Sequence, residues 1–112
     1  GVGQLAAFAD GKDEQPLAYL NNVGPDYLRT VGTPLVAGRD LTLHDRQDAP
    51  LAVVVNETLA TRYYKGDALG KRIQIHDAWR VIVGIARDSK YQSFDEKPAP
   101  FVYFPVLQAY LP

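Results

Sequence analysis

An unbroken apolar run, Leu51 to Val55, constrains the fold of this chain most strongly. It is far too short to span a membrane, which takes roughly 18–20 apolar residues. A strand without polar positions leaves no face for solvent, so both of its faces must be covered. Asn56 follows at once and is a good helix N-cap, which predicts a helix over Glu57 to Tyr64 that ends at Gly66. The sequence therefore predicts a central strand that leads directly into a helix.

Further strand and helix signals alternate with Gly, Pro and Asp along the rest of the chain. They predict a hairpin over Leu5 to Val23 with a turn at Asp10-Gly11. They also predict a helix opened by Pro25-Asp26, with Tyr27, Leu28 and Val31 on its apolar face and Gly32 at its end. The last predicted elements are a hairpin whose second strand alternates at Trp79, Val81, Val83 and Ile85, and a strand over Phe101 to Val106. The expected fold class is α+β, a mixed, mostly antiparallel sheet with two short helices packed on one face.

Length and composition narrow the class of protein. The 112 residues suit one domain, and a net charge of -1 argues against binding nucleic acid, which calls for a basic excess. The absence of Cys excludes disulfides, Cys-based zinc sites and thiol catalysis. The chain begins with Gly1 and has no Met. We therefore expect residues 1–112 to be a single soluble domain or lobe excised from a longer protein.

No catalytic, metal or cofactor pattern is complete in this sequence. The stretch Gly66 to Lys71 lacks the Walker A spacing. A metal site built on His44-Asp45 and His76-Asp77 can be imagined, but exposed loop residues are the favoured interpretation because no ligand spacing is present. Ser89 and Ser93 lie in a polar loop without a nucleophile elbow. The sequence thus predicts no catalytic residue, no metal and no cofactor, and a hydrolase is the least favoured hypothesis.

Two groups of residues invite a functional interpretation. The loop from Gly38-Arg39-Asp40 to Asp45 suits a bidentate Arg–Asp pair that anchors the loop, although a ligand or partner contact also fits. The aromatic residues outside the predicted core, Tyr91, Phe94 and Tyr110, are equally compatible with a protein–protein contact and with local packing. An apolar pocket lined by Tyr63, Trp79 or Tyr103 would indicate a small-ligand sensor instead.

Several short motifs stand in a characteristic order: NNVGPDYLRTVGTPLVAGRDLTLHD, LAVVVNETLATRYY, GDALGKRIQI, WRVIVGIARDSKY and PAPFVYFPVLQ. Over Asn22 to Leu107 they resemble the extracytoplasmic core domain of MacB-like and FtsX-like ABC transporter permeases. The positions that match the family motifs are Tyr27, Gly38, Arg39, Asp40, Asp45, Asn56, Gly70, Lys71 and Gly84. Leu28 and Leu41 stand where the family usually has Phe.

The resemblance implies a structural motif set with no active site. It further implies a bacterial inner membrane protein with this domain on the periplasmic side, a second permease copy as dimer partner, and an ABC ATPase domain reached through the parent chain. A periplasmic adaptor or another protein would be a further partner. The expected role is mechanotransmission, substrate export or partner docking, and the alternative is the small-ligand sensor.

Overall fold

A computed structural model of the chain describes residues 2–6, 8–9, 17–75, 78–89 and 98–108. Its strands are β1 (Val2–Ala6), β2 (Phe8–Ala9), β3 (Leu17–Val23), β4 (Leu35–Gly38), β5 (Ala52–Asn56), β6 (Arg72–Ile75), β7 (Ala78–Ala86) and β8 (Phe101–Pro105). Its helices are α1 (Tyr27–Val31) and α2 (Glu57–Tyr64), and a 3-10 turn covers Val106–Gln108. No helix in the described ranges is long and apolar enough to cross a membrane.

The described strands form one mixed sheet in the order β1-β3-β8-β5-β7-β6-β2, and β4 pairs with β7 beside this path. Five of the strand pairs are antiparallel. The pairs β3–β8 and β5–β7 are parallel. The α+β class with a mixed, mostly antiparallel sheet is therefore confirmed. The antiparallel pairing of β1 with β3 also agrees with the opening hairpin, whose predicted turn at Asp10-Gly11 lies outside the described residues.

Strand β5 occupies the centre of the sheet and is buried at all five positions. Because successive side chains of a strand point to opposite faces, its valines contribute to two separate cores. Val53 and Val55 belong to one cluster together with residues of α2, and we call this the α2-side core. Ala52 and Val54 belong to a second cluster together with Leu28 of α1, and we call this the α1-side core.

The two helices thus cover opposite faces of the sheet, whereas the sequence predicted both on one face. The prediction treated the continuous apolar run of β5 as covered on both sides, and each side proves to be covered by a different helix. Helix α2 buries Leu59, Ala60 and Tyr64 on its side. Helix α1 has five residues and buries Leu28 alone, so one inward side chain suffices to fix its face.

The ends of the helices follow their capping residues. Helix α2 has the predicted bounds, with the Asn56 side chain accepting a hydrogen bond from the Leu59 N–H. Helix α1 ends at Gly32 as predicted, since Gly32 takes a left-handed conformation with φ of 77°. It begins at Tyr27, after Pro25 rather than at it. Val31, placed by the sequence on the apolar face, is 52% exposed.

Strand β7 departs from simple alternation. Pairing with β5 shifts register so that Val53 lies opposite Ile82 and Val54 opposite Gly84, which leaves Val83 as a bulge. As a result Ile82 and Ile85 share the α2-side core, although they are three residues apart. The predicted apolar face of Trp79, Val81 and Val83 is only partly covered, and Trp79 is 39% exposed with the Arg72 guanidinium 4.8 Å from its ring centre. Core packing of Trp79 was therefore a wrong prediction.

Candidate functional site

The bulge in β7 brings two backbone segments unusually close together. Arg39 donates its N–H to the Val83 carbonyl at 2.9 Å. A Cβ on Gly38 would overlap that same carbonyl oxygen, and a Cβ on Gly84 would overlap the carbonyl oxygen of Arg39. Gly38 also has φ of 75°, a conformation that costs other residues more. Both glycines are therefore required by close backbone approach between the end of β4 and the middle of β7.

This approach aims the Arg39 side chain along the following loop, where it meets Asp45. Arg39 Nη1 donates to Asp45 Oδ2 and Nη2 donates to Oδ1, both at 2.9 Å. Such parallel donation matches the planar guanidinium to the carboxylate. The Asp45 side chain is 4% exposed and that of Arg39 is 49% exposed. The bidentate pair suggested by the sequence is thus present, with its acidic partner buried.

Asp45 is held as a carboxylate by its surroundings. Burial raises its pKa, but the hydrogen bonds from Arg39 and from the Thr42 N–H, and the charges of Arg39 and His44, outweigh burial, so the pKa lies below its ordinary value. The Thr42 N–H lies 2.8 Å from Asp45 Oδ2, and Thr42 O accepts from the Asp45 N–H at 3.1 Å. The carboxylate therefore closes the loop onto itself as well as onto Arg39.

Asp40, the next residue after Arg39, connects the same loop to α1. Its Oδ2 accepts from the Arg29 N–H at 3.2 Å and its Oδ1 from the Leu41 N–H at 2.8 Å. The first turn of a helix leaves N–H groups without helical partners, and Asp40 satisfies one of them from outside the helix. The Asp26 N–H also donates to the Leu41 carbonyl at 2.7 Å. The helix is thereby tied to the loop at two points.

Three motifs that lie far apart in the sequence meet at this site: Asp26-Tyr27 before and in α1, the loop from Gly38 to Asp45, and Gly84 in β7. We call this group the brace. Its charged groups are directed at one another and at backbone atoms, so the arrangement holds elements together. Tyr27 adds an aromatic contact, with its ring centre 5.9 Å from that of Tyr103 in β8.

Asn56 forms a second junction at the C-terminal end of β5. It is buried, its Oδ1 accepts from the Leu59 and Phe101 N–H groups at 3.1 and 3.0 Å, and its Nδ2 donates to Ala99 O at 2.8 Å. One side chain thus caps α2 and fixes the start of β8. A carboxylate at this position would lack the donor for Ala99.

Gly70 and Lys71 attach the loop after α2 to the sheet. The Gly70 N–H donates to Ile82 O at 2.9 Å, and the Ile82 N–H donates to Lys71 O at 2.8 Å. The Lys71 ammonium lies on the surface 3.2 Å from the Asp67 carboxylate, four residues earlier. The segment that resembles an incomplete phosphate loop is therefore a turn bonded to β7.

The remaining sequence candidates do not form a site in the described part of the chain. His44 is exposed, and His76 and Ser93 lie outside the described residues. Within those residues no group of three or more His, Cys, Asp or Glu side chains is placed to hold a metal. Tyr91, Phe94 and Tyr110, the predicted partner contacts, also lie outside the described residues.

The three aromatic residues proposed to line a ligand pocket are separated from one another. Tyr63 packs against the α2-side core, whereas Tyr103 is buried in the α1-side core on the opposite face. Trp79 is partly exposed on its strand. They do not share a cavity. An open depression instead lies beside α2, lined by Glu57, Thr58, Thr61, Arg62 and Asp88.

Sequence reasoning missed two sets of long-range polar contacts. Asp88 accepts from the Thr58 N–H and hydroxyl at 3.0 and 2.8 Å, and adds to the cap of α2. Arg80 and Gln108 are buried and hydrogen-bonded to each other. The residues of both sets lie in stretches whose local pattern indicates only a strand or a tail. Their contacts could be identified only from the tertiary fold.

Comparison with known proteins agrees with this architecture. The family model of the MacB-like periplasmic core domain matches residues 2–111. The periplasmic region of MacB from Actinobacillus actinomycetemcomitans superimposes with a TM-score of 0.74 at 20% identity, covering 96% of this chain and 46% of that chain. The extracellular domain of the noncanonical ABC-type transporter YknZ from Gram-positive bacteria gives 0.67 at 16% identity, covering 94% and 52%. Comparison with curated proteins gives no match.

At these identities the solved structures establish the fold, and the chain spans about half the length of each. The family model covers nearly the whole chain, including every residue of the brace. The motif order, the mixed sheet and the family match all agree. The chain therefore belongs to the MacB-like periplasmic core domain family.

Proposed function

We propose that this domain is a non-catalytic element of a MacB-type permease that moves as one body and transmits motion across the bacterial inner membrane. ATP bound by a separate ATPase domain would drive the motion, and two permease copies would face each other through their extracytoplasmic domains. The movement would expel a substrate or act on a docked periplasmic protein.

The observation that carries this proposal is the brace. The groups that match the family motifs use their hydrogen-bonding capacity to join α1, β4 and β7, which is what a body that must move without deforming requires. A catalytic group, in contrast, would be held near a cleft with its reactive atom accessible. Asn56 extends the same bracing to α2 and β8.

Distance measurements in the intact permease that carries this domain test the proposal. One pair of spin labels would sit within the domain at Val36 and Arg62, which are both exposed. A second experiment would use a single label at Arg62 in each of two copies. Addition of a non-hydrolysable ATP analogue should leave the distance within the domain unchanged and shift the distance between copies. A constant distance between copies, or a change within the domain, would contradict the proposal.

A sensor function is the second candidate. The depression beside α2 is the one observation in its favour, because Glu57, Arg62 and Asp88 place both signs of charge around it. It is open and is lined by charged and hydroxyl-bearing residues, which suits a small polar ligand or a partner side chain better than a lipid. Substitution of Arg62 with Glu should abolish binding of such a ligand, and binding that survives the substitution would count against the sensor.

A further inference from the structure

The last described residue, Gln108, is fully buried and makes an unusual number of contacts. Its Oε1 accepts from the Ala52 N–H at 3.1 Å and, at a longer 3.4 Å, from Arg80 Nη1. Its Nε2 donates to Arg46 O at 2.9 Å and Pro50 O at 3.1 Å. Its backbone carbonyl accepts from Arg80 Nη2 at 3.1 Å. Gln108, which lies beyond the end of β8, is thus bonded to the loop before β5, to β5 itself and to β7.

Arg80, its partner in β7, is a buried cation. It is 5% exposed, its Nε has no hydrogen-bond partner within the described part of the chain, and its guanidinium lies 5.3 Å from the ring centre of Phe104. Burial lowers the pKa of this guanidinium. None of the described Asp or Glu side chains forms an ion pair with it. Because none of these described carboxylates offsets it, burial of the Arg80 charge opposes folding, and the described contacts give no gain in overall stability that accounts for an arginine here.

The place of these contacts suggests another purpose. Strand β8 runs between β3 and β5, and its antiparallel pairing with β5 sets the end of β8 beside Ala52, where β5 begins. Load applied to the chain beyond residue 108 would otherwise pull on β8 alone and break its ladder one bond at a time. The contacts of Gln108 would divide that load among the loop before β5, the first residue of β5, and β7.

We propose that Gln108 and Arg80 form a latch through which load on the chain beyond residue 108 reaches the central strands β5 and β7. The latch deepens the proposed function, since a transmitting body needs a fixed point where the chain enters or leaves it. Gln108 and Arg80 are positioning residues in this proposal: Arg80 orients the backbone and side chain of Gln108, and Gln108 makes the connections.

Single-molecule pulling on the 112-residue chain in two geometries tests the latch. In the first, the handles are attached at Pro112 and Arg62, so that the load passes through residue 108. In the second, they are attached at Val36 and Arg62, and the load bypasses it. Gln108→Met keeps the side-chain length but removes all amide hydrogen bonds. It should speed unfolding by about tenfold or more in the first geometry only, because several bonds of the loaded path are lost.

Leu107→Ala is the matched control, since Leu107 lies in the same 3-10 turn and is partly exposed. It should leave the unfolding rate unchanged in both pulling geometries. If Gln108→Met does not fold, Gln108→Glu carries the test. Glu retains the acceptor for Ala52 and Arg80 but loses the donors to the carbonyls of Arg46 and Pro50. It should therefore speed unfolding in the first pulling geometry by a smaller factor than Gln108→Met.

Equal acceleration of unfolding in both pulling geometries would show that Gln108 has a structural role alone, and would overturn the latch. An unchanged unfolding rate in the first geometry would also overturn it. Arg80→Met should reproduce part of the Gln108→Met effect with the same dependence on geometry. These measurements concern the isolated chain. A negative result would therefore leave the proposed function standing, since that function is decided by the label distances in the permease.

Discussion

At the scale of single residues, Asp45 is the carboxylate on which the brace depends. Its pKa is depressed in the folded state, so its ionised form stabilises the fold above the pKa that Asp has in the unfolded chain, about 3.9. This stabilisation should be lost as the pH falls through the lower folded value. Asp45→Asn should cost free energy of unfolding near neutral pH, and its difference from the original chain should shrink below about pH 4. Denaturant titrations of both proteins across this range measure the difference, and a difference that grows with acidity would refute the assignment.

Gly84 offers a second test at this scale. Gly84→Ala should force the backbone of Arg39 away, weaken the hydrogen bond from Arg39 N–H to Val83 O, and reduce the free energy of unfolding by about 1–3 kcal/mol. Gly24→Ala is the control, because a Cβ there meets no atom within 4 Å. It should change stability by no more than about 0.5 kcal/mol. Equal effects of the two substitutions in urea denaturation would show that close approach at Gly84 is unimportant.

At the scale of elements, Asn56 joins β5, α2 and β8. Asn56→Ala should remove the helix cap and leave the N–H of Phe101 and the carbonyl of Ala99 without their partner, at a cost of about 2–4 kcal/mol. Amide hydrogen exchange should speed up most in the first turn of α2 and at the start of β8. Arg62→Ala, on the exposed side of the same helix, is the control and should leave both segments protected. Faster exchange confined to α2 would mean that the contact with β8 contributes little.

Local patterns predicted elements well where capping and burial agree. The apolar run of β5 and its Asn56 cap gave α2 its bounds, since both signals depend on neighbouring residues only. The faces of β7 could not be predicted in this way, because the bulge at Val83 lies against Arg39, which belongs to a loop distant in the sequence. Gly84 inside an alternating strand was the available signal for that bulge. Likewise, the two parallel strand pairs join segments far apart in the sequence.

The same limit applies to the candidate site. Arg39 and Asp45 are six residues apart, so their pairing could be suggested from the sequence. The link from Asp40 to α1 and the buried contacts of Arg80 with Gln108 depend on the tertiary fold. The spacing of neighbouring residues in the sequence does not predict them. Tyr91, Phe94 and Tyr110 stay predicted partner contacts. Their substitution with Ser should reduce docking of a periplasmic partner without lowering the stability of the domain.

At the scale of the whole molecule, the central sheet is clamped on both faces. Helix α1 and the brace hold one side, and α2 with its Asn56 cap holds the other. This two-sided arrangement gives a body whose motifs serve rigidity, and rigidity is the property that transmission of motion needs. The proposed function requires this body, a member of the MacB-like periplasmic core domain family, to move as a unit.

The distance between two copies of the domain in the intact permease tests this claim most directly. Labels at Arg62 of each copy, compared with an internal Val36–Arg62 pair, separate movement of the body from deformation within it. We predict that an ATP analogue shifts the distance between copies and leaves the internal distance unchanged. An internal distance that changes on addition of the analogue, or copies that stay in place, would contradict the account.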